Sequence, residues 1–428
     1  MVEQPRENGF RGRNQGGLKE YNERLILHVV RRSGSIPGAE IARRTGLSVQ
    51  SVSRIVNRLL NENLLVKQTR RRVKGKVGQP SVPISLNPSG AYSVGVKIGR
   101  RSLDVLVVDF VGNILRQVTE RYDYPDPHKV LPQVHADVAK ALQFLKAEQR
   151  ERVVGIGVAA PYGLGDWPRE LHGPPAVLAE WRDIDLRRQI ADNQQLPVWL
   201  EHDAKSACLA DLLLHGDVSR FNNYLYIFVG TIIGGATVLD GLLFRGPSGF
   251  SGAVGPTPIP ASFAPKSTTR KTPTVPLLQC ASRYLLDERL IELGFDSQAV
   301  VPLSGDDEPF QTQRATKDAV DEWVSTSAAA IAVAIHCSIS TIDFEGIVID
   351  GALPVTLVER LTAQVDHHLD SFSFTGLVRP RLVAGSIGND ARALGGAILP
   401  LYWSFAPNKD LATNWESNAT QSSLNAHS

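Results

Sequence analysis

Residues 36–65, IPGAEIARRTGLSVQSVSRIVNRLLNENLL, decide how the beginning of this chain folds. They predict two short helices joined by a tight turn at Gly46, where a side chain would strain the backbone. Ser48 follows the turn and suits the N-cap of the second helix, because its hydroxyl can accept a hydrogen bond from a free backbone N–H. A helix pair of this kind places its second helix in the major groove of DNA.

The second helix has one apolar face and one polar face. Apolar residues recur with the i, i+3, i+4, i+7 spacing of an α-helix, at Val52, Ile55, Val56 and Leu59. On the polar face, Gln and Asn side chains can pair with adenine, and Arg side chains can pair with guanine. We therefore predict DNA contacts along the start and the polar face of this helix, from Ser48, Gln50, Ser51, Arg54, Asn57 and Arg58.

A helix over residues 18–32 precedes the pair and is expected to complete its small core with Tyr21, Leu25, Ile26 and Val29. After the pair, the segment VKQTRRRVKGKVGQPSVPISL predicts a hairpin with strands near residues 64–69 and 82–86. A basic hairpin beside a recognition helix is the wing of a winged helix, whose cations contact phosphates or the minor groove. The cations of this predicted wing are Arg70, Arg71, Arg72, Lys74 and Lys76.

The charge is distributed unevenly along the chain. Residues 1–90 carry 17 Lys and Arg against 6 Asp and Glu, whereas the whole chain has a net charge of only +2. If the helix pair were only a solvent-exposed surface feature without a ligand, this imbalance of charge would not be required. Neutralisation of phosphates supplies most of the non-specific affinity for DNA, so a basic segment on an acidic remainder favours double-stranded DNA as a partner.

Composition places the chain among soluble globular proteins of two or three domains, with 428 residues and 43% hydrophobic residues. Cys208, Cys280 and Cys337 are far apart and form no CxxC pair, which fits a reducing cytoplasm and predicts neither a disulfide framework nor a zinc site.

No signal peptide is expected, because charged residues interrupt the first 11 positions. Residues 323–342 lack formal charge over a length that could span a bilayer. Their alanine and hydroxyl content favours a buried helix instead.

Composition changes along the chain predict four segments. Residues 1–17 are polar and are expected to form a flexible arm, and residues 18–88 form the winged helix-turn-helix. Residues 92–405 alternate apolar strands with helical segments, which is typical of an α/β architecture. Residues 406–428 are polar and are expected to be a disordered tail.

Three segments resemble the ROK family of repressors and kinases, and specifically its winged-helix regulators. They are LPVWLEHDAKSACLAD (196–211), GTIIGGATVLDGLLFRGPSGFSGAVG (230–255) and AGSIGNDARALGGAIL (384–399). The resemblance implies a two-lobed, actin/hexokinase-like (ribonuclease H-like) ATPase fold after the winged helix, with a sugar cleft between the lobes. It also implies a homodimer or homotetramer, which would present two recognition helices to a two-fold-related operator.

The phosphate turns of the family kinases are altered here. The first has the form D-x-G-G-T, but VKIGRRS places Lys97 where the Asp is expected and keeps one glycine, Gly99. The second, G-T-G-x-G-G, keeps most of its glycines, although Ile232 replaces the middle one. A glycine-rich turn between two strands can be a plain hairpin or a nucleotide site, and these changes favour the hairpin. We therefore expect no cofactor.

The family's sugar contacts are also incomplete. Its Asn-Asp pair corresponds to His202 and Asp203, the only ligand-binding candidates, while Ala253 and Pro256 stand at its Glu and His positions. The family's zinc cysteines have no counterpart, so the resemblance implies no metal. In the kinases the Asp is the general base that accepts a proton from the sugar hydroxyl. Here Asp203 can contact a ligand, or simply cap a helix.

These observations predict a DNA-binding transcriptional regulator with a kinase-derived, non-catalytic effector domain. By resemblance it would repress carbohydrate-related genes, with a sugar or sugar derivative as effector and no membrane partner. Two alternatives stay open: a ROK-type sugar kinase with an appended DNA-binding domain, and a regulator controlled by a protein partner. No residue is predicted to be catalytic.

Overall fold

The computed structural model describes residues 15–68, 82–166, 173–192, 194–214, 221–263, 273–303 and 309–407. The N-terminal domain contains three helices, α1 (Gln15–Ser33), α2 (Gly38–Thr45) and α3 (Val49–Asn61). Its three short strands are β1 (Ile36–Pro37), β2 (Leu65–Lys67) and β3 (Pro83–Leu86), in the order β1-β3-β2. This is a winged helix-turn-helix, as the sequence predicts.

Three details of this domain differ from the expectation. Helix α1 begins at Gln15, inside the segment expected to be a flexible arm. Its most buried face carries Ile26, Leu27 and Val30, whereas Tyr21, Leu25 and Val29 are only partly buried. Strand β1 was not predicted, because two residues are too few to produce an alternating pattern. The predicted wing tip lies outside the described residues, although β2 and β3 pair antiparallel on either side of it.

The first lobe of the body is a five-stranded sheet in the order β6-β5-β4-β7-β8. Its strands are β4 (Tyr92–Ile98), β5 (Ser102–Asp109), β6 (Ile114–Arg121), β7 (Val153–Ala160) and β8 (Val198–His202). The helices of this lobe are α4 (Pro127–Phe144), α5 (Ala147–Arg150), α6 (Pro175–Ala179) and α7 (Leu186–Ala191). Helix α8 (Asp203–Leu214) follows β8 directly.

The second lobe repeats this sheet topology as β11-β10-β9-β14-β15, with three antiparallel strands followed by parallel ones. Its strands are β9 (Tyr224–Val229), β10 (Gly234–Leu239), β11 (Leu242–Phe244), β14 (Gly346–Gly351) and β15 (Arg381–Ala384), with β12 (Pro258–Pro260) and β13 (Thr274–Pro276) forming a separate pair. Its helices are α9 (Leu278–Ala281), α10 (Arg283–Glu292), α11 (Ser297–Val300), α12 (Arg314–Ile339), α13 (Val355–Leu369) and α14 (Ala391–Phe405). Two such sheets form the expected actin/hexokinase-like fold.

Helix α14 returns from the second lobe and packs against the first. A Cβ on Gly157 of β7 would lie 2.1 Å from the carbonyl oxygen of Gly396, and one on Gly395 would lie 1.7 Å from that of Ser206. Glycine at these positions is therefore what allows α14 to lie directly on β7 and α8. The contact makes α8 and α14 a single packed layer.

Helix α12 contains the uncharged segment noted in the sequence. Within the described residues it alone is long and apolar enough to cross a membrane by composition. However, 56% of its most apolar window is buried inside the protein. Trp323, Val324, Ile331 and Ile335 all lie in the core of the second lobe, as expected for a buried helix.

Candidate DNA-binding surface and effector cleft

The recognition helix α3 begins as the sequence predicts. Ser48 is its N-cap, and the Ser48 Oγ accepts a hydrogen bond from the backbone N–H of Ser51 at 3.2 Å. Gly46 adopts φ +68° at the turn, a conformation that glycine tolerates best. The four predicted apolar residues of α3 are all buried, so the opposite face of the helix is directed to solvent.

The exposed face of α3 carries Gln50, Ser53, Arg54 and Asn57. In the described part of the chain, no hydrogen bond or ion pair engages the guanidinium of Arg54. Ser51 is half-buried, and its hydroxyl accepts a hydrogen bond from Ser48 at 2.9 Å. The amide and guanidinium groups that can read base edges are therefore presented together along about two turns of the helix.

Arg58 does not belong to this exposed face. Its guanidinium forms an ion pair with Glu23 of α1 and lies 3.9 Å from Glu62, and its side chain is 29% exposed. The helical spacing placed Arg58 beside Arg54, but the acceptor on α1 draws it toward the protein. Arg58 therefore contributes to the packing of α1 on α3, and its contact with DNA stays a prediction.

Val49 was missed by the sequence analysis. Its side chain is 67% exposed at the first turn of α3. An exposed apolar side chain at this position can contact a thymine methyl group. Its spacing of three and seven residues from the buried Val52 and Val56 would predict a buried side chain, so its exposure required the structure.

Helix α1 connects the DNA-binding domain to the body. Arg24 donates a hydrogen bond to the carbonyl oxygen of Trp403 in α14 at 2.9 Å, and Arg32 donates one to Asn222 Oδ1 at 3.0 Å. Between these two contacts, α1 faces a small cavity lined by Leu27, His28, Arg31, Leu213, Leu401, Tyr402, Phe405 and Ala406. Helix α1 thus packs in the core of the winged helix and also contacts α8 and α14 of the body.

Two titratable side chains of α1 are buried in this contact. Burial, assisted by the nearby charges of Arg32 and Arg31, lowers the pKa of His28 to about 3. Burial also lowers the pKa of Arg31 to about 10, although Asp109 opposes the effect, and the guanidinium lies 4.9 Å from the ring centroid of Phe110. At neutral pH the contact therefore holds an uncharged imidazole beside a charged guanidinium.

Asp203 stands at the first position of α8, where β8 ends in the cleft. Its Oδ1 accepts a hydrogen bond from the Ala204 N–H at 2.8 Å and lies 3.4 Å from His202 Nε2, and its Oδ2 lies 3.7 Å from Arg392 Nη1. Burial alone would raise the pKa of Asp203, but His202, Arg392 and Arg100 lower it overall. Asp203 is therefore a buried carboxylate that pairs with Arg392 and also accepts one free backbone N–H at the start of α8.

The first phosphate turn is filled by its own side chain. The Lys97 ammonium donates hydrogen bonds to Asp104 Oδ2 at 2.9 Å and to Ser102 Oγ at 2.7 Å. A Cβ on Gly99 would lie 2.6 Å from the Lys97 Nζ, so the ammonium lies over the turn. A nucleotide phosphate would need the backbone N–H groups of this turn. The residues present do not fit the nucleotide that a kinase of this fold would bind.

Aromatic side chains lie in the cleft beside Asp203. The ring of Tyr162 stacks on His202 with centroids 4.4 Å apart and contacts Phe250 at 4.6 Å, and its hydroxyl donates to the carbonyl oxygen of Gly249 at 3.3 Å. Tyr162 and His202 belong to the first lobe, whereas Gly249 and Phe250 follow β11 of the second. The stack therefore joins the two lobes across the cleft.

The cysteines are dispersed in the structure as in the sequence. Cys208 and Cys280 are buried, Cys337 is exposed, and burial raises the pKa of Cys280 to about 11. Within the described ranges, no group of three or more His, Cys, Asp and Glu side chains is placed to hold a metal ion. The absence of zinc stays a prediction.

Comparison with known proteins defines the class. Residues 93–401 match the ROK family, and residues 20–74 match the MarR family. The chain therefore belongs to the ROK family and carries a MarR-type winged helix at its N-terminal end.

Individual relatives extend this result. The xylose repressor of Bacillus subtilis is 26% identical over 242 residues, which cover 56% of this chain and 61% of the repressor. The uncharacterized protein y4fQ of Sinorhizobium fredii is 24% identical over 90% of this chain and 91% of its own length. The chain thus spans about three fifths of the first of these relatives.

Solved structures share the fold. A ROK family transcriptional regulator described as a homolog of the E. coli MLC protein matches with a TM-score of 0.61 and 19% identity, over 91% of this chain and 98% of that one. The ROK hexokinase of Thermus thermophilus matches with a TM-score of 0.50 and 23% identity, over 72% of this chain and 97% of that one. The expected combination of a winged helix with a two-lobed body is confirmed.

Proposed function

We propose that this protein is a DNA-binding transcriptional regulator, a repressor of carbohydrate-related genes, whose ROK body senses an effector without catalysing a reaction. The observation that carries the proposal is the exposed face of α3, where Gln50, Arg54 and Asn57 project from a helix whose other face is fully packed. The xylose repressor relatives support the carbohydrate link. We place the protein in the cytoplasm, where its DNA would be.

The proposed DNA interface has two parts. Gln50, Arg54 and Asn57 would read base edges in the major groove, while the backbone N–H groups at the start of α3 would meet a phosphate. Ser48 and Ser51 would act there by ordering the helix start through their mutual hydrogen bond. The wing cations, which lie outside the described residues, would contact phosphates and supply salt-dependent affinity.

The effector signal would travel through α8 and α14. Both helices begin at the cleft, at Asp203 and next to Arg392, and their far ends, at Leu213 and Tyr402, line the cavity beneath α1. With 12 and 15 residues they span about 18 and 22 Å, given a rise of about 1.5 Å per residue. A shift of these packed helices would therefore move α1, and with it the recognition helix.

Repression would require two recognition helices on one operator. We propose a homodimer or homotetramer, in which lobe closure changes the spacing between paired copies of α3. Analytical ultracentrifugation of the full chain tests this point, and a monomer at the concentration that binds DNA would contradict it.

A gel shift with the natural upstream region tests the proposed function. We expect a sequence-specific complex at physiological salt that a scrambled duplex does not compete away. Binding that is equal for both duplexes would refute specific regulation.

Catalysis is not part of the proposal, because Lys97 fills the phosphate turn and Arg392 pairs with the carboxylate that would act as base. A coupled ADP-release assay over hexoses and N-acetylhexosamines separates this proposal from a sugar kinase with an appended domain. Turnover above the protein-free rate would favour the kinase.

One observation favours a second candidate, a regulator controlled by a protein partner. The stack of Tyr162 on His202 and Phe250 lies next to Asp203, the residue that by resemblance would contact a sugar, and it takes up space in the cleft there. Thermal-shift measurements with sugars and sugar phosphates distinguish the two candidates, since a ligand that binds only the folded protein raises its melting temperature.

A further inference from the structure

Strand β6 is the longest sheet edge of the body. It has 8 residues, is the outermost strand of the first-lobe sheet and pairs with β5 on one side only. The other outer strands of the two lobe sheets are shorter, at 5 residues for β8, 3 for β11 and 4 for β15. In the described part of the chain no strand pairs with the outer side of β6. Its outward N–H and C=O groups are therefore available to another strand.

The side chains of β6 have little cover. All of them are exposed or half-buried. Ile114 and Leu115 are 42% and 38% exposed, and Phe144 at the end of α4 is 48% exposed. The Arg116 guanidinium lies 5.3 Å from the ring centroid of Phe144, so this aromatic ring lies beside the first half of the strand. Apolar surface is thus exposed at one end of an unpaired edge.

Two opposite charges project from one face of β6. Arg116 and Glu120 are four residues apart, and side chains at this spacing lie on the same side of a strand. Glu120 accepts a hydrogen bond from Gln133 of α4 at 2.7 Å, so α4 packs on that face. Among the residues that the structure describes, none forms a hydrogen bond or ion pair with the Arg116 guanidinium, whose Nε is buried. Arg116 is therefore a half-buried cation without an anion.

The charges of β6 are complementary to those of a second copy. When two copies run antiparallel with Val118 of each on the two-fold axis, Arg116 of one lies opposite Glu120 of the other, and symmetry repeats the contact. Opposite charges directly across a strand pair are stabilising, whereas like charges are destabilising. Pairs centred on Arg116 or on Glu120 would bring like charges together. Charges that discourage pairing with unrelated strands therefore favour one register with the same strand.

We propose that β6 is an interface between two copies of this chain, in which residues 115–121 of each copy pair antiparallel about Val118. The first-lobe sheets of the two protomers would then form one continuous sheet. Ile114, Leu115 and Phe144 of each copy would be covered at the two ends of the paired strands. The inference rests on the proposed self-association of the protein, and it names the surface that carries it.

Sedimentation of the full-length protein over a series of concentrations tests the interface by charge reversal. Arg116→Glu and Glu120→Arg each place like charges opposite each other, and each should raise the dissociation constant about tenfold or more. The double variant restores opposite charges in exchanged positions and should recover most of the association. Arg121→Glu is the matched control, because residue 121 faces Leu115 in this register, and unchanged association is expected.

A cysteine cross-link tests the register directly. Cys337 is exposed and is first replaced by Ser. In that background Val118→Cys should give a disulfide-linked dimer on oxidation, because the two-fold axis places position 118 beside its own copy. Ile114→Cys faces Tyr122 of the second copy and should give no such dimer.

Three results would overturn the inference: a wild type that stays monomeric, association that is equally tight in both charge variants, or no preference for the cross-link at position 118 over position 114. The second and third results leave the proposed self-association standing if the wild type is still a dimer or tetramer. Specific binding to the natural upstream region, measured separately by gel shift, reports on DNA recognition alone.

Discussion

Acidification should weaken the contact between α1 and the body, because His28 is buried there without charge. Its folded pKa is about 3, against 6.5 for the exposed imidazole. A depressed pKa means that the unfolded chain takes up the proton first. The stability that depends on neutral His28 is therefore complete above pH 6.5 and is lost as the pH falls from 6.5 toward 3.

The size of the effect follows from the same two values. At pH 5 the exposed imidazole is about 1.5 pH units below its own pKa, while buried His28 is still neutral. At about 1.4 kcal/mol per unit, the free energy of unfolding should fall by about 2 kcal/mol between pH 7.5 and pH 5. Below pH 3 the total loss would approach about 5 kcal/mol.

Urea denaturation at pH 7.5 and pH 5, followed by circular dichroism, measures this difference. Other groups titrate in the same range, so the informative quantity is the comparison with His28→Gln, which keeps a polar side chain without a titrating ring. The variant should lose about 2 kcal/mol less than the wild type on acidification. Equal losses in the two proteins would refute the assignment of a buried neutral His28.

Two further predictions concern packing and capping. Gly395→Ala should lower the melting temperature by several degrees, because the new methyl group would lie 1.7 Å from the Ser206 carbonyl oxygen, whereas Gly396→Ala meets its nearest neighbour at 3.2 Å and should cost less. Equal melting temperatures would contradict the close packing of α14 on α8. Ser48→Ala should cost about 1 kcal/mol through the lost N-cap of α3, with Ser53→Ala as the exposed control in the same helix. If Ser53→Ala were the more damaging change, the N-cap assignment would be wrong.

Local rules predicted the DNA-binding domain well. The spacing of Val52, Ile55, Val56 and Leu59 gives the buried face of α3, and Ser48 gives its start, since both depend only on neighbouring residues. Arg58 could not be placed in this way. Its position depends on Glu23, which lies 35 residues away and is brought near only when α1 packs on α3.

The fold of the two-lobed body was predicted from sequence motifs, whereas the geometry of its cleft was predicted only in outline. The replaced Asp at Lys97 indicated an altered phosphate turn, but the hydrogen bonds that hold Lys97 over that turn required the structure. The pairing of Arg392 with Asp203 joins residues 189 positions apart, across two lobes. Nothing in the local pattern at either position indicates the contact. The sequence also did not predict that α1 packs both in the winged helix and against α8 and α14. A helical pattern shows which residues are apolar but not how many other elements they contact.

Fluorescence anisotropy of labelled DNA tests whether α3 reads a specific DNA sequence. An operator duplex selected from the upstream region is compared with a scrambled duplex over a series of salt concentrations, for the wild type, Arg54→Ala and Lys74→Ala. Arg54→Ala should cost about 1–3 kcal/mol on the operator and much less on the scrambled duplex. Lys74→Ala should weaken both and reduce the slope of log K against log salt by about 0.9. Equal losses on both duplexes for Arg54→Ala would contradict sequence recognition by α3.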